Sequence, residues 1–251
     1  MATARTLRIT LAYDGTELHG WQIQPSAPTI QGLVAGVCAR ILGAPTKVVG
    51  ASRTDAGVHA LGQVASLRTT STISPGGLAR ALNALLPPAI RVRDAVEVAP
   101  GFDARRSALG KRYAYLIDRS ATPDPFLRRF AWHVSFPLVP GAMRQALALT
   151  RGKRDFSALC AAPGRGRSPV CTVRSARLVT RKSRLVVLIS ADSFLHHMVR
   201  NLAGSLVEVG RGARPPEWMA ELLEGRDRAR AGPTAPAHGL ALVRVLYPRS
   251  P

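Results

Sequence analysis

Leu7, Ile9, Leu11 and Tyr13 occupy alternate positions near the start of the chain, and a period of two predicts a half-buried strand. The period then changes. Thr29 offers a capping oxygen at the head of a helical stripe, Ile30, Leu33, Val34, Val37 and Ile41, that stops near Gly43 and Pro45. Thr46 to Gly50 and Gly62 to Arg68 read as two short strands on either side of a loop. Ser74 and Pro75 open a second helix with Leu78, Leu82 and Leu85 on one face, and Ile90 to Val98 reads as a strand. The order is β-α-β-β-α-β.

The second half repeats that order without convincing sequence identity to the first. Tyr113, Tyr115 and Ile117 alternate as a strand, Met143 to Leu149 suits a helix, and Val170 to Thr180 with Leu185 to Ile189 supply two more strands. Ser193 is the expected cap of a helix in which Leu195, Met198, Val199, Leu202, Leu206 and Val209 fall at helical spacing, with Gly210 as its stop. A short helix, Pro215 to Leu223, precedes a closing strand, Gly239 to Tyr247. Asp118 to Arg129 looks like an irregular connection, and the Pro/Arg-rich stretch Ala161 to Pro169 like a mobile loop. The simplest architecture is α+β: two ferredoxin-like βαββαβ units, residues 1–105 and 106–251, whose sheets join into one mixed central sheet.

Composition narrows the function classes. No apolar run approaches the roughly 18 to 20 residues that span a bilayer, and the first residues lack a signal-peptide core, so the expected location is cytoplasmic. Cys38, Cys160 and Cys171 match neither a C-x-x-C pair nor a disulfide framework, and are expected to be reduced and structural. The formal net charge is +20, and it is uneven: residues 1–100 hold 9 Lys and Arg against 5 Asp and Glu, residues 101–251 hold 26 against 10. A field of that sign and size attracts polyanions and points to nucleic acid. Arginine outnumbers lysine 31 to 4, but a coding bias that swaps one cation for the other does not create an excess over acids.

The loop between the two short strands reads Ser52-Arg53-Thr54-Asp55-Ala56-Gly57-Val58-His59-Ala60. It sets one carboxylate between an arginine two residues away and a glycine that permits a tight turn, which suits an ionised Asp; the same letters are also an ordinary turn signal. The string resembles the G-R-T-D-A-G-V-H signature of the tRNA pseudouridine synthase A family. The resemblance extends through Tyr13-Asp14-Gly15, His19-Gly20-Trp21-Gln22, Gln31-Gly32, Asn83 to Pro87, Phe102 to Arg105, Lys111 to Tyr115, Asp155-Phe156-Ser157, Phe194 to Asn201 and Gly239-Leu240. Ser52 stands where the family usually has Gly, and Asp103 where it usually has His or Asn. Neither change removes a group that the chemistry needs.

The resemblance implies a central basic cleft, a tRNA substrate modified at positions 38 to 40 of the anticodon stem-loop, a homodimer and no cofactor. It makes Asp55 the nucleophile, Tyr113 the ring on the target base and a possible proton relay, Arg200 a cation near Asp55, and Leu240 a contact beside the uracil. Arg53 is expected to enter the vacated base stack or to steady the Asp55 carboxylate. Lys111, Arg112, Arg165 and Arg167 are candidate phosphate contacts, since cations beside an aromatic ring suit RNA. Read as one helix, His196 and His197 would point about 100° apart and could not comfortably share an ion; no H-E-x-x-H or Cys pair is present, so no metal is expected. The chain also lacks a G-x-G-x-x-G or P-loop string, so no nucleotide cofactor is implied. Two rival readings compete: a hydrolase pairing Asp14 with Asp55, which would release free uracil, and a non-catalytic RNA-binding protein, which has no need of a carboxylate where phosphate must sit.

Overall fold

The computed structural model describes residues 3–161 and 168–248. Its elements in chain order are β1 (Arg5–Tyr13), α1 (Ile30–Leu42), β2 (Val49–Gly50), β3 (His59–Thr69), α2 (Pro75–Leu85), β4 (Ile90–Val98), β5 (Gly110–Asp118), β6 (Trp132–His133), α3 (Pro140–Ala148), β7 (Gly152–Asp155), β8 (Val170–Arg181), β9 (Arg184–Ala191), α4 (Met198–Gly210), α5 (Trp218–Gly225) and β10 (Leu240–Leu246). The fold is α+β. It forms two compact units, Met1–Leu109 with Leu242–Pro251, and Gly110–Ala241.

In the first unit β1 lies between two antiparallel neighbours, β3 and β4, and β2 adds to β3 with Val49 opposite Ser66. That β4-β1-β3-β2 order is the ferredoxin-like one. Leu7, Ile9 and Leu11 are fully buried, as are Ile30 and Val34 of α1 and Leu78 and Leu82 of α2, so the alternating and helical stripes meet in one core. The Thr29 hydroxyl accepts the Gly32 N–H at 3.2 Å and the Ser74 hydroxyl accepts the Gly77 N–H at 3.1 Å, which satisfies donors that each helix start leaves over. Gly43 ends α1 at φ 73°, a conformation that costs glycine little.

Two details depart from the expected pattern. The strand expected over Thr46 to Gly50 shrinks to Val49–Gly50, because the Gln31 side chain takes the Val48 carbonyl at 2.8 Å and removes it from the ladder. Leu85 is 45% exposed; α2 ends there, and the extended Leu86 turns into the core in its place.

The second unit has the strand order β5-β9-β8-β7, all antiparallel, with β6 parallel to β5. Tyr115, Ile117, Leu185, Val187 and Ile189 are buried with Met143 and Ala146 of α3 and Leu202 and Leu206 of α4. β6 and β7 were not anticipated. β7 reads Gly-Lys-Arg-Asp, carries no apolar alternation, and is a strand only because Gly152 to Asp155 pair with Val173 to Val170.

The start of α4 also differs: Ser193 does not cap it. The Asp192 carboxylate accepts both the N–H and the hydroxyl of Ser193, and the helix begins at Met198, after His197 adopts a left-handed φ of 59°. Leu195, His196 and His197 are therefore outside it. The three cysteines are free and buried, and burial pushes the Cys38 thiol up to about 12. No described helix is long and apolar enough to cross a membrane.

Candidate active site

The Asp55 loop is held by its backbone on nearly every side. The Trp21 N–H donates to the Thr54 carbonyl at 2.9 Å, the Ala51 N–H to Val64 at 2.8 Å, and the Gly57 N–H to Leu18 at 3.3 Å. The Val58 N–H closes a turn onto the Asp55 carbonyl at 3.1 Å, and Gly57 inside that turn has φ 76°. Gly20 approaches from the β1–α1 connection so closely that a Cβ there would stand 2.6 Å from the Thr54 carbonyl oxygen and 3.0 Å from the Asp55 carbonyl carbon. The glycines of His19-Gly20-Trp21 and Asp55-Ala56-Gly57 thus serve one purpose. They let two stretches of chain meet backbone to backbone and fix where Asp55 starts.

Beneath the loop lies a polar hub that the sequence did not flag as functional. Gln63 of β3 has no exposed surface; its Nε2 donates to the Ser52 carbonyl at 2.7 Å and its Oε1 accepts the Ser52 N–H at 3.3 Å. The Tyr13 and Thr54 hydroxyls share a hydrogen bond of 2.9 Å, and Gln63 Nε2 reaches the same phenol at 3.4 Å. A lone Gln between Gly62 and the apolar Val64-Ala65 of a strand is the signal that could have found it, since a buried amide is kept only where it is bonded.

Asp55 is half-buried and Arg53 exposed, and Arg53 makes no hydrogen bond or ion pair with any described residue. Asp14, the partner carboxylate of the hydrolase reading, is occupied with its own turn. Its Oδ1 accepts the N–H and hydroxyl of Thr16 at 3.0 and 2.6 Å and lies 3.2 Å from His59 Nδ1. That is the work of a turn residue.

In the second unit Lys111, Tyr113, Tyr115 and Ile117 share one face of β5, while Arg112 is exposed on the other, so only Lys111 of the basic pair accompanies the tyrosine. Tyr113 is 6% exposed and meets the Phe194 ring edge to face, centroids 4.9 Å apart. Arg200, in the first turn of α4, donates from Nε to the Ala235 carbonyl at 2.8 Å. It also lies near Tyr115, whose hydroxyl burial pushes well above the usual tyrosine range; the Arg200 charge offsets part of that rise. Tyr115 stays a donor and bonds the Pro236 carbonyl at 2.8 Å, while its ring fills the space that a Cβ on Gly239 would need. Leu240 follows directly, buried at the head of β10.

The His196 and His197 rings stack on each other 3.9 Å apart, in the connection before α4. They are not on a helix, so the angular argument drawn from helical spacing does not apply to them. Arg165 and Arg167 lie outside the described residues.

Comparison with known proteins bears on the whole chain. Residues 9–105 and 146–248 match the family model described as tRNA pseudouridine synthase. The chain is 46% identical to tRNA pseudouridine synthase A of Myxococcus xanthus over 98% of its own length and 93% of that protein's. The namesake of Moorella thermoacetica is 46% identical over 96% and 99%, and that of Geobacter sulfurreducens 42% over 97% and 100%.

Proposed function

The chain belongs to the tRNA pseudouridine synthase A family, and from that premise we infer how its residues convert uridine to pseudouridine in tRNA. The enzyme is an isomerase: the N-glycosidic bond breaks, the uracil turns, and a carbon–carbon bond forms, with no outside reagent. The observation that carries the assignment of Asp55 is its setting, a half-buried carboxylate on a turn pinned by four backbone hydrogen bonds and closed by Gly57 and Gly20. A carboxylate so placed starts the reaction by attack at C1′ or by promoting elimination there, and the geometry costs nothing to assemble at that moment.

A uridine inside a stem must first leave the stack. Arg53, exposed and uncommitted among the described residues, is the side chain suited to enter the vacated space. Tyr113 supplies the ring against the base and a hydroxyl for the proton that carbon loses before pseudouridine is complete. Arg200 supplies a cation, Leu240 an apolar contact beside the uracil, and Lys111, Arg112, Arg165 and Arg167 phosphate contacts. The reading includes positions 38 to 40 of the anticodon stem-loop as targets, a homodimer as the assembly and the cytoplasm as the location.

The test is direct. The protein is incubated with an unmodified tRNA transcript, and pseudouridines are derivatised and mapped by primer extension. Stops at 38 to 40 with unchanged RNA mass are expected, whereas released uracil would instead mean hydrolysis. Asp55→Asn is expected to abolish turnover and leave tRNA affinity intact; substantial product from the variant would remove Asp55 as nucleophile.

A further inference from the structure

Arg200 and Asn201 sit side by side on α4, and both hold the same irregular stretch, Gly232 to Ala235. Arg200 grips Ala235 at two points: Nε donates to its carbonyl at 2.8 Å, and the Arg200 carbonyl accepts its N–H at 3.2 Å. Asn201 has no exposed surface. Its Nδ2 donates to the Leu159 carbonyl at 2.8 Å, and its Oδ1 accepts from Arg228 Nη2 at 3.0 Å and from the Thr234 hydroxyl at 2.7 Å. Arg228 reaches back with two more bonds, to the Gly232 carbonyl at 3.1 Å and the Thr234 hydroxyl oxygen at 3.0 Å. The Ser205 hydroxyl accepts the Gly232 N–H at 3.0 Å, and a Cβ on Gly204 would stand 1.7 Å from the Pro233 carbonyl oxygen. The stretch therefore lies on the backbone of α4 itself.

A segment holding Gly232 and Pro233, with no ladder or helix to pair its backbone, has no stiffness of its own. Here side chains provide it. Arg228 spends its donors on three oxygens, two in the Gly232 to Thr234 stretch and one on Asn201 of α4, and none of its hydrogen bonds among the described residues goes to an acid. That is an expensive use of a guanidinium in a chain rich in them, and its outcome is a fixed Ala235 carbonyl, the acceptor that orients Arg200 Nε.

We propose that Asn201, Arg228 and Thr234 are positioning residues, which act on turnover by holding the Arg200 guanidinium through the Gly232 to Ala235 segment. The inference rests on the role given above to Arg200. A shift of about 1 Å in a catalytic group costs about 100-fold in rate.

Arg228→Gln and Thr234→Val remove the bonds without opening an apolar cavity. Both are expected to slow single-turnover pseudouridine formation by about 10 to 100-fold, with a smaller change in tRNA affinity and a cooperative thermal transition retained. Placed in an Arg200→Lys background, where the Nε bond to Ala235 is already gone, Arg228→Gln is expected to add no more than about threefold. A loss that multiplies in full in that background would assign Arg228 a general structural role and overturn the proposal. If Arg228→Gln does not fold, Thr234→Val carries the test, and a wild-type rate in it overturns the proposal. Arg200→Lys measured alone separates the two readings. A wild-type rate in it defeats the role given to Arg200 and this inference with it, whereas a slow Arg200→Lys beside wild-type rates in Arg228→Gln and Thr234→Val defeats this inference alone.

Discussion

A phenol and its ring make separable demands at position 113. The side chain is buried against Phe194 and shares a face with Lys111, so a ring is needed there for packing whatever the hydroxyl does. Tyr113→Phe keeps the ring and is expected to bind tRNA normally while turning over far more slowly. Tyr113→Leu loses the ring as well; a base–aromatic stack is worth roughly 1 to 3 kcal/mol, so on the proposed role this variant is expected to lose affinity too. Single-turnover rates and filter-binding constants decide it: near-wild-type rates in the Phe variant reject a proton role, and near-wild-type behaviour in both returns Tyr113 to the core. At the level of single residues, Asp55 and Tyr113 stand out as candidates in the sequence because they sit inside strings whose neighbours are specific. Gln63 and Asn201 were not, since a buried amide looks like any surface amide until the partners that satisfy it, Ser52 in one case and Arg228 in the other, are brought from elsewhere in the chain.

Among the elements, the loop carrying Asp55 depends on a residue 35 positions earlier in sequence, Gly20. Its φ of 78° and the 2.6 Å at which a Cβ would stand from the Thr54 carbonyl oxygen both exclude a side chain, so Gly20→Ala must move either the loop or the connection. We expect turnover to fall by more than tRNA binding does, with a lower melting temperature; a variant that melts lower yet keeps its rate would show that the Asp55 turn keeps its geometry without this contact. The strands and helices of the first unit could be anticipated because alternation, caps and breakers agree locally: Thr29, Gly43, Ser74 and Pro75 each act where they stand. The failures have separate origins, two local and one long-range. Ser193 carries the letter of an N-cap but is captured by Asp192, His197 takes a left-handed turn that a non-glycine residue does not announce, and β7 exists through its partner strand alone.

Charge is a property of the whole chain, and a net +20 implies that tRNA binding releases counterions. The logarithm of the binding constant is therefore expected to fall linearly and steeply with the logarithm of salt concentration. Not every cation should contribute. Arg211 is held by Glu208 at 2.6 and 3.1 Å, so its charge is cancelled where it stands, and Arg211→Gln is expected to leave the slope unchanged at little cost in stability. Lys111→Gln and Arg112→Gln should each reduce the magnitude of the slope by about one if the residue meets a phosphate. The two sit on opposite faces of β5, so the experiment also reads which face of that strand the RNA follows. A reduced slope for Lys111→Gln alone places the backbone on the face of Tyr113, a reduction for both requires RNA to wrap the edge of the unit, and a dissociation constant indifferent to salt would defeat the electrostatic reading of the chain.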